Sequence, residues 1–128
     1  MNDLQFADDV LARIRARDGK YHERAYLFVL AAVEYLQGRL PVRRHVSGQE
    51  LSWACRDFAL SQFGLLARSV LAHWGVTRTE DWGNIVFTLV DIGLLMTQAG
   101  DRLDDFADVY DFAEAFSDSY VWEGMSGT

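Results

Sequence analysis

The sequence predicts a mainly α domain of α+β type: two N-terminal helices packed on a winged-helix-like three-helix unit that ends in a C-terminal β-hairpin. Three observations carry this expectation. Apolar residues recur at helical spacing in five separate stretches. A helix–turn–helix pattern with Gly75 in its turn follows a helix that opens at Ser47. Beyond Gly93, a run rich in Phe, Val and Tyr surrounds the turn-forming pair Gly100-Asp101.

Asn2 or Asp3 can cap a first helix in which Phe6, Val10 and Ile14 share a face beside Leu11, and Asp18-Gly19 ends it. The second helix, about residues 23–37, carries Tyr26, Val29, Leu30, Val33 and Leu36 on one stripe and Leu27, Phe28 and Ala31 on the other side. A helix apolar nearly all round belongs in the middle of a fold. Gly38 and Pro41 stop it, and LPVRRHV forms a linker. Ser47-Gly48-Gln49-Glu50 has the spacing of a capping box and opens a third helix along Leu51, Ala54, Cys55 and Phe58, interrupted at Gly64. LLARSVLAHW makes a fourth, with Leu66, Val70 and Trp74 on one face and Gly75 as its left-handed cap. Thr77 or Thr79 caps a fifth, whose apolar stripe is Ile85, Val86, Leu89 and Ile92 and whose end is Gly93. The following LLMTQ and DFADVYDF read as the two arms of a hairpin, although Leu103, Phe106, Tyr110 and Ala113 also fit a helical period.

The length, 128 residues with half of them apolar, suits one domain with a core of its own. It divides into a helical pair (1–46), a winged-helix-like part (47–118) and a tail (119–128). The N-terminal stretch is charged throughout, so neither a signal nor a transit peptide is expected there. The longest apolar run, Ala25 to Val33, is about half of the ~20 residues that cross a bilayer, so no membrane contact is expected. One cysteine, Cys55, cannot form an internal disulfide, which suits a reducing cytoplasm.

The net charge of −7 is uneven. Residues 1–46 hold eight basic against six acidic side chains, a net of +2, leaving −9 on the remainder. A polyanion contact therefore belongs on the N-terminal side, at Arg13, Arg17, Lys20, Arg43 and Arg44. On the C-terminal side, Glu80, Asp81 and Asp91 on the fifth helix would repel a duplex, as would Asp104, Asp105, Asp108 and Asp111 beyond it. Nucleic-acid binding is the less favoured reading because duplex affinity rests on phosphate neutralisation.

Catalytic and cofactor constellations are not legible. His22, His45, His73 and Cys55 share no metal-ligand spacing, and Asp101, Asp104 and Asp105 lack the alternating oxygens and central glycine of a calcium loop. Cys55 lies on an apolar face, where a thiol packs and does not react. No phosphate-cradling glycine motif and no nucleophile elbow occurs. An enzyme would require a deep pocket in which His45, His73 or Cys55 faces an acid.

The stretches RHVSGQELSWACRDFALSQFG, VLAHWGV, GNIVFTLVDIGLL and VYDFAEAF, in that order, resemble a family of small hypothetical proteins of verrucomicrobial and planctomycete bacteria. The resemblance runs from near the first helix to about Asp118. It implies a bacterial, cytoplasmic protein and brings no activity, cofactor or catalytic residue. The expected function is a small non-enzymatic protein–protein interaction module, self-association included. Trp82, Phe87 and Trp122 are the candidate anchors, and the acids Asp104, Asp105, Asp108 and Asp111 set the approach of a partner.

Overall fold

In a computed structural model, described for residues 3–17 and 19–117 and for residues 3–8 as backbone only, the chain is mainly helical. The helices are α1 (Asp3–Arg17), α2 (Glu23–Arg39), α3 (Gly48–Phe63), α4 (Ala67–His73), α5 (Thr79–Asp91) and the single turn α6 (Phe112–Ala115). Turns of 3-10 helix lie at Gly64–Leu66 and Leu103–Phe106. The expected cap at Asn2 or Asp3, the contact of Phe6, and the tail with Trp122 fall outside the described side chains.

Most local start and stop signals act as the sequence implies. Ser47 Oγ accepts the Glu50 amide at 3.0 Å while the Glu50 carboxylate accepts the Ser47 amide at 2.9 Å, a complete capping box. Gly75 and Gly93 adopt φ of 92° and 85°. At each, the next amide reaches back five residues, Val76 to Leu71 and Leu94 to Leu89, both at 2.9 Å, which closes the helix end in a Schellman motif. Two boundaries differ. α2 runs through Gly38 to Arg39 and stops only where Leu40, preceding Pro41, must be extended. The N-cap of α5 is Arg78, and neither threonine caps it. The Asp81 carboxylate takes the free amides of Thr77 and Arg78 at 2.9 and 3.2 Å. Thr79, fully buried, instead accepts the amide of Val109 at 3.1 Å.

α5 and α2 form the centre. α5 buries eight residues, among them Trp82, Ile85, Val86 and Leu89. α2 contributes Ala25, Tyr26, Phe28, Val29 and Ala32. The Phe28 ring lies 5.1 Å from Phe58 and 5.7 Å from both Trp74 and Trp82, joining α2 to α3, the end of α4 and α5 through tilted and stacked contacts. α1 adds Val10 and Ile14 as expected. At α4 Trp74, its C-cap, is buried as expected, but Ala67 and Leu71 take the inner positions expected for Leu66 and Val70, and Leu66 is 66% exposed.

The expected C-terminal hairpin does not form. Among the described residues beyond Gly93 there is no strand: the chain passes through the 3-10 turn and α6 as a strap across α3 and α5. Packing decides this. Phe106, 4% exposed, inserts its ring between two helical glycines, so that a Cβ on Gly48 would stand 3.0 Å from Cε2 and one on Gly83 2.9 Å from Cγ. Behind it, Tyr110 accepts the indole N–H of Trp82 at 2.9 Å and donates to the Ser52 carbonyl at 2.8 Å. The helical period of Phe106 and Tyr110 thus reflects anchoring onto helices, not a helix of their own.

Gly83→Ala should destabilise the fold by about 2 kcal/mol through the clash with the Phe106 ring, although the exchange favours an open helix by about 1 kcal/mol. Gly38→Ala, on an exposed part of α2 with nothing near its Cβ, should stabilise by about 0.5–1 kcal/mol. Urea unfolding checks the pair; equal stabilisation by both would show that the Phe106 seat is not filled.

Candidate functional site

Two concavities on the surface are candidates, and they share no lining residue. The first, about 160 Å³, opens between the α2–α3 linker and the strap. Its floor is apolar, from Val33 on α2, Leu51 on α3, Val86 on α5, and Leu95 and Phe106. Its rim carries His45, Asp101, Arg102 and Asp105.

The rim is held by local chemistry. The Gln37 side chain clamps the linker at both backbone atoms of Arg44, donating to the carbonyl at 2.6 Å and accepting the amide at 3.1 Å. Arg44 forks onto both oxygens of Glu50 at 3.2 and 2.7 Å and donates to the His45 carbonyl at 2.9 Å. His45 is thereby placed with Nε2 3.0 Å from the Asp101 carboxylate; the two side chains are 31% and 23% exposed. Asp101 closes its own turn by accepting the Gln98 amide at 2.7 Å. That bond first, and His45 after it, hold its carboxyl below the usual range. The Asp105 carboxylate accepts the Arg102 amide at 3.0 Å, which fixes the start of the 3-10 turn.

The second concavity is an open apolar groove of about 550 Å³ formed by Leu11, Leu27, Ala31, Phe58 and Phe63 over Phe28 and Trp74. Leu65 and Leu66, which follow Phe63 in the chain, are 61% and 66% exposed. His22, Glu23 and Arg24 border it.

The residues singled out from sequence are scattered by the fold. Trp82 is fully buried beneath Phe28 and Phe112 and cannot anchor a partner. Its indole serves Tyr110, a requirement that apolar periodicity does not reveal. Phe87 is half-buried in the wall of the first cleft, and Trp122 lies outside the described residues. Two of the four acids have structural work: Asp105 in the 3-10 turn, and Asp111 as N-cap of α6, accepting the Glu114 amide at 3.2 Å. Asp104 and Asp108 stay exposed, and Asp108 takes a left-handed φ of 49° while its amide donates to Glu80 at 3.3 Å.

Among the basic candidates, Arg13 donates to the Ile92 carbonyl and so completes the C-terminus of α5. Arg17 meets Asp91 at 2.6 Å, Arg43 forks onto Glu34 at 3.1 Å, and Lys20 lies over the ring of Tyr21. Most of the N-terminal positive charge named from sequence is therefore matched by a nearby acid or carbonyl.

Burial pushes the Cys55 thiol far up from its usual range, which keeps it protonated. The buried pair Tyr21–Asp81, 2.7 Å apart with Asn84 donating to the phenol at 2.9 Å, ties α5 to the α1–α2 corner. No group of described residues could hold a metal ion, and no described helix is long and apolar enough to cross a membrane.

The His45–Asp101 pair was not visible in the sequence, since 56 positions separate its members and neither sits in a recognisable motif. The only local hint is the SGQE box, which marks where the linker carrying His45 must be pinned. Comparison with known protein families, with curated proteins and with solved structures finds no match for the chain.

Arg44 first, then the Ser47 amide, lowers the Glu50 carboxyl to about 2 from an ordinary 4.5. A carboxylate with a depressed folded-state value stabilises the fold above its unfolded value and loses that contribution as the pH falls through its folded one. Melting temperature should therefore fall between pH 4.5 and 2. In Glu50→Gln it should be lower at pH 7 and flatter across that window, as read by circular dichroism. An unchanged slope would show that the Arg44–Glu50 fork does not hold the linker.

Proposed function

We infer that the protein is a small non-enzymatic interaction module of the cytoplasm, and that its docking face is the apolar groove between α2 and α3. The observation that carries this reading is the groove itself: Leu27, Phe58 and Phe63 line an opening of about 550 Å³ over aromatic rings, and Leu27 on its wall is 37% exposed. Apolar surface of this kind gains free energy when a partner removes it from water, and aromatic residues are the commonest hot spots. The fitting occupant is the apolar stripe of a protein partner's helix.

A winged-helix-like arrangement of residues 47–118 belongs to this reading, supported by the order α3, α4, α5 and the tight turn at Gly75, and such domains also serve as docking modules. Of the acids proposed to steer a partner, Asp104 and Asp108 remain available. The polyanion reading through Arg13, Arg17, Lys20, Arg43 and Arg44 has less support, because a phosphate would compete with the acids and carbonyls already there.

Leu27→Glu, at a residue that lines the groove, should leave circular dichroism unchanged, because its side chain already faces water. It should weaken capture of the native partner, or self-association by light scattering, by about tenfold or more. Identical capture and identical mass in the variant would remove the groove as the docking face. Recovery of RNA in place of protein with the tagged chain would favour the basic residues instead.

A further inference from the structure

The cleft between the α2–α3 linker and the strap shares no lining residue with the groove and has a different character. We propose that it is a binding site for a small aromatic or branched aliphatic molecule that carries no carboxylate and bears one O–H or N–H donor, which the ligand presents to Nδ1 of His45.

Size is the first argument. The cleft holds about 160 Å³, close to the ~150 Å³ of an apolar protein cavity that accepts benzene. The floor of Val33, Leu51, Val86, Leu95 and Phe106 offers such a ring or branched chain only apolar contacts.

Charge is the second. His45 faces Asp101, the Arg102 guanidinium lies 3.4 Å from Asp104, and Arg44 forks onto Glu50. Asp101 and Asp105 both stand on the rim, so a ligand carboxylate would meet like charge and find the two guanidiniums already paired, losing its hydration without gaining a partner.

The third argument is the imidazole. An ionised carboxylate only accepts, so Nε2 carries the proton that points to Asp101, and the neutral ring has its lone pair on Nδ1. No described residue donates to that nitrogen, whereas the ring itself is pinned through the Arg44 clamp. His45 lines the cleft, and an acceptor on its neutral ring that no described residue uses suits a ligand with one donor.

The test is an amide NMR titration of the full chain with phenol, toluene and benzoate. Phenol and toluene should shift the amides of Val46, Gly48, Leu95 and Met96. Phenol should bind about three- to tenfold more tightly than toluene, the factor one neutral hydrogen bond supplies, and benzoate should bind more weakly than either. His45→Phe should erase the advantage of phenol while leaving toluene binding in place. Should that variant fail to fold, Asp101→Asn serves the same end. An Asn amide can donate to Nε2 and move the ring proton to Nδ1, so the ratio of phenol to toluene should fall. The proposal is overturned if phenol leaves the cleft amides unmoved, if the shifts concentrate on Leu27, Phe58 and Phe63 instead, or if the preference for phenol survives in the folded variant. These readouts do not depend on the docking face, which Leu27→Glu addresses separately.

Discussion

The Phe106 ring, seated between Gly48 and Gly83, is the contact on which the rest of the strap depends. Two helices present a bare backbone at the same place, one at its first turn and one in its middle, and a single aromatic ring occupies both gaps. From that anchor the chain runs one way to Arg102 and Asp101, which complete the cleft opposite His45. It runs the other way to Val109 and Tyr110, which bind Thr79, Trp82 and Ser52. Helical glycine costs about 1 kcal/mol relative to alanine. At Gly48 and Gly83 that cost is offset by burying a phenyl ring, worth roughly 2–3 kcal/mol.

The strap also explains the polar groups of the core. Several of these groups bond across elements: Tyr21 with Asp81, Tyr110 with the Ser52 carbonyl and Trp82, and Thr79 with Val109, while the Ser52 and Thr88 hydroxyls bond within their own helices. No described buried side-chain nitrogen or oxygen lacks a hydrogen bond. Leaving one unmade would cost about 1–3 kcal/mol. These bonds therefore select one path for the chain after Gly93 among the several that apolar burial alone would allow.

Charge is organised locally. The linear sequence divides into a weakly basic and a strongly acidic part, which suggests a dipolar molecule. In the fold, Arg17 meets Asp91, and Arg13 caps the helix that ends at the same place. Arg43 and Arg44 meet Glu34 and Glu50 within a few residues of chain. The more exposed of these pairs, Arg17–Asp91 and Arg43–Glu34, add little stability. Their effect is to leave an apolar groove and an apolar cleft as the surfaces most distinct from their surroundings.

Local signals were legible where their physics is local. The SGQE box, the Gly75 and Gly93 helix ends, and the buried stripes of α1, α3 and α5 follow from hydrogen bonds and side-chain periods within a few residues, so they can be read along the chain. The strap could not be, because Phe106 and Tyr110 sit at a spacing that fits a helix and in a composition that fits a strand. What places them is a pair of glycines 35 positions apart and a tryptophan on another helix. For the same reason Trp82 read as a candidate anchor, although the core closes over it, and nothing along the chain linked His45 to Asp101. Their meeting required the linker clamped by Gln37 and the turn closed by Gln98 to arrive on opposite sides of one opening. That is a property of packing between elements, and no single stretch of residues encodes it.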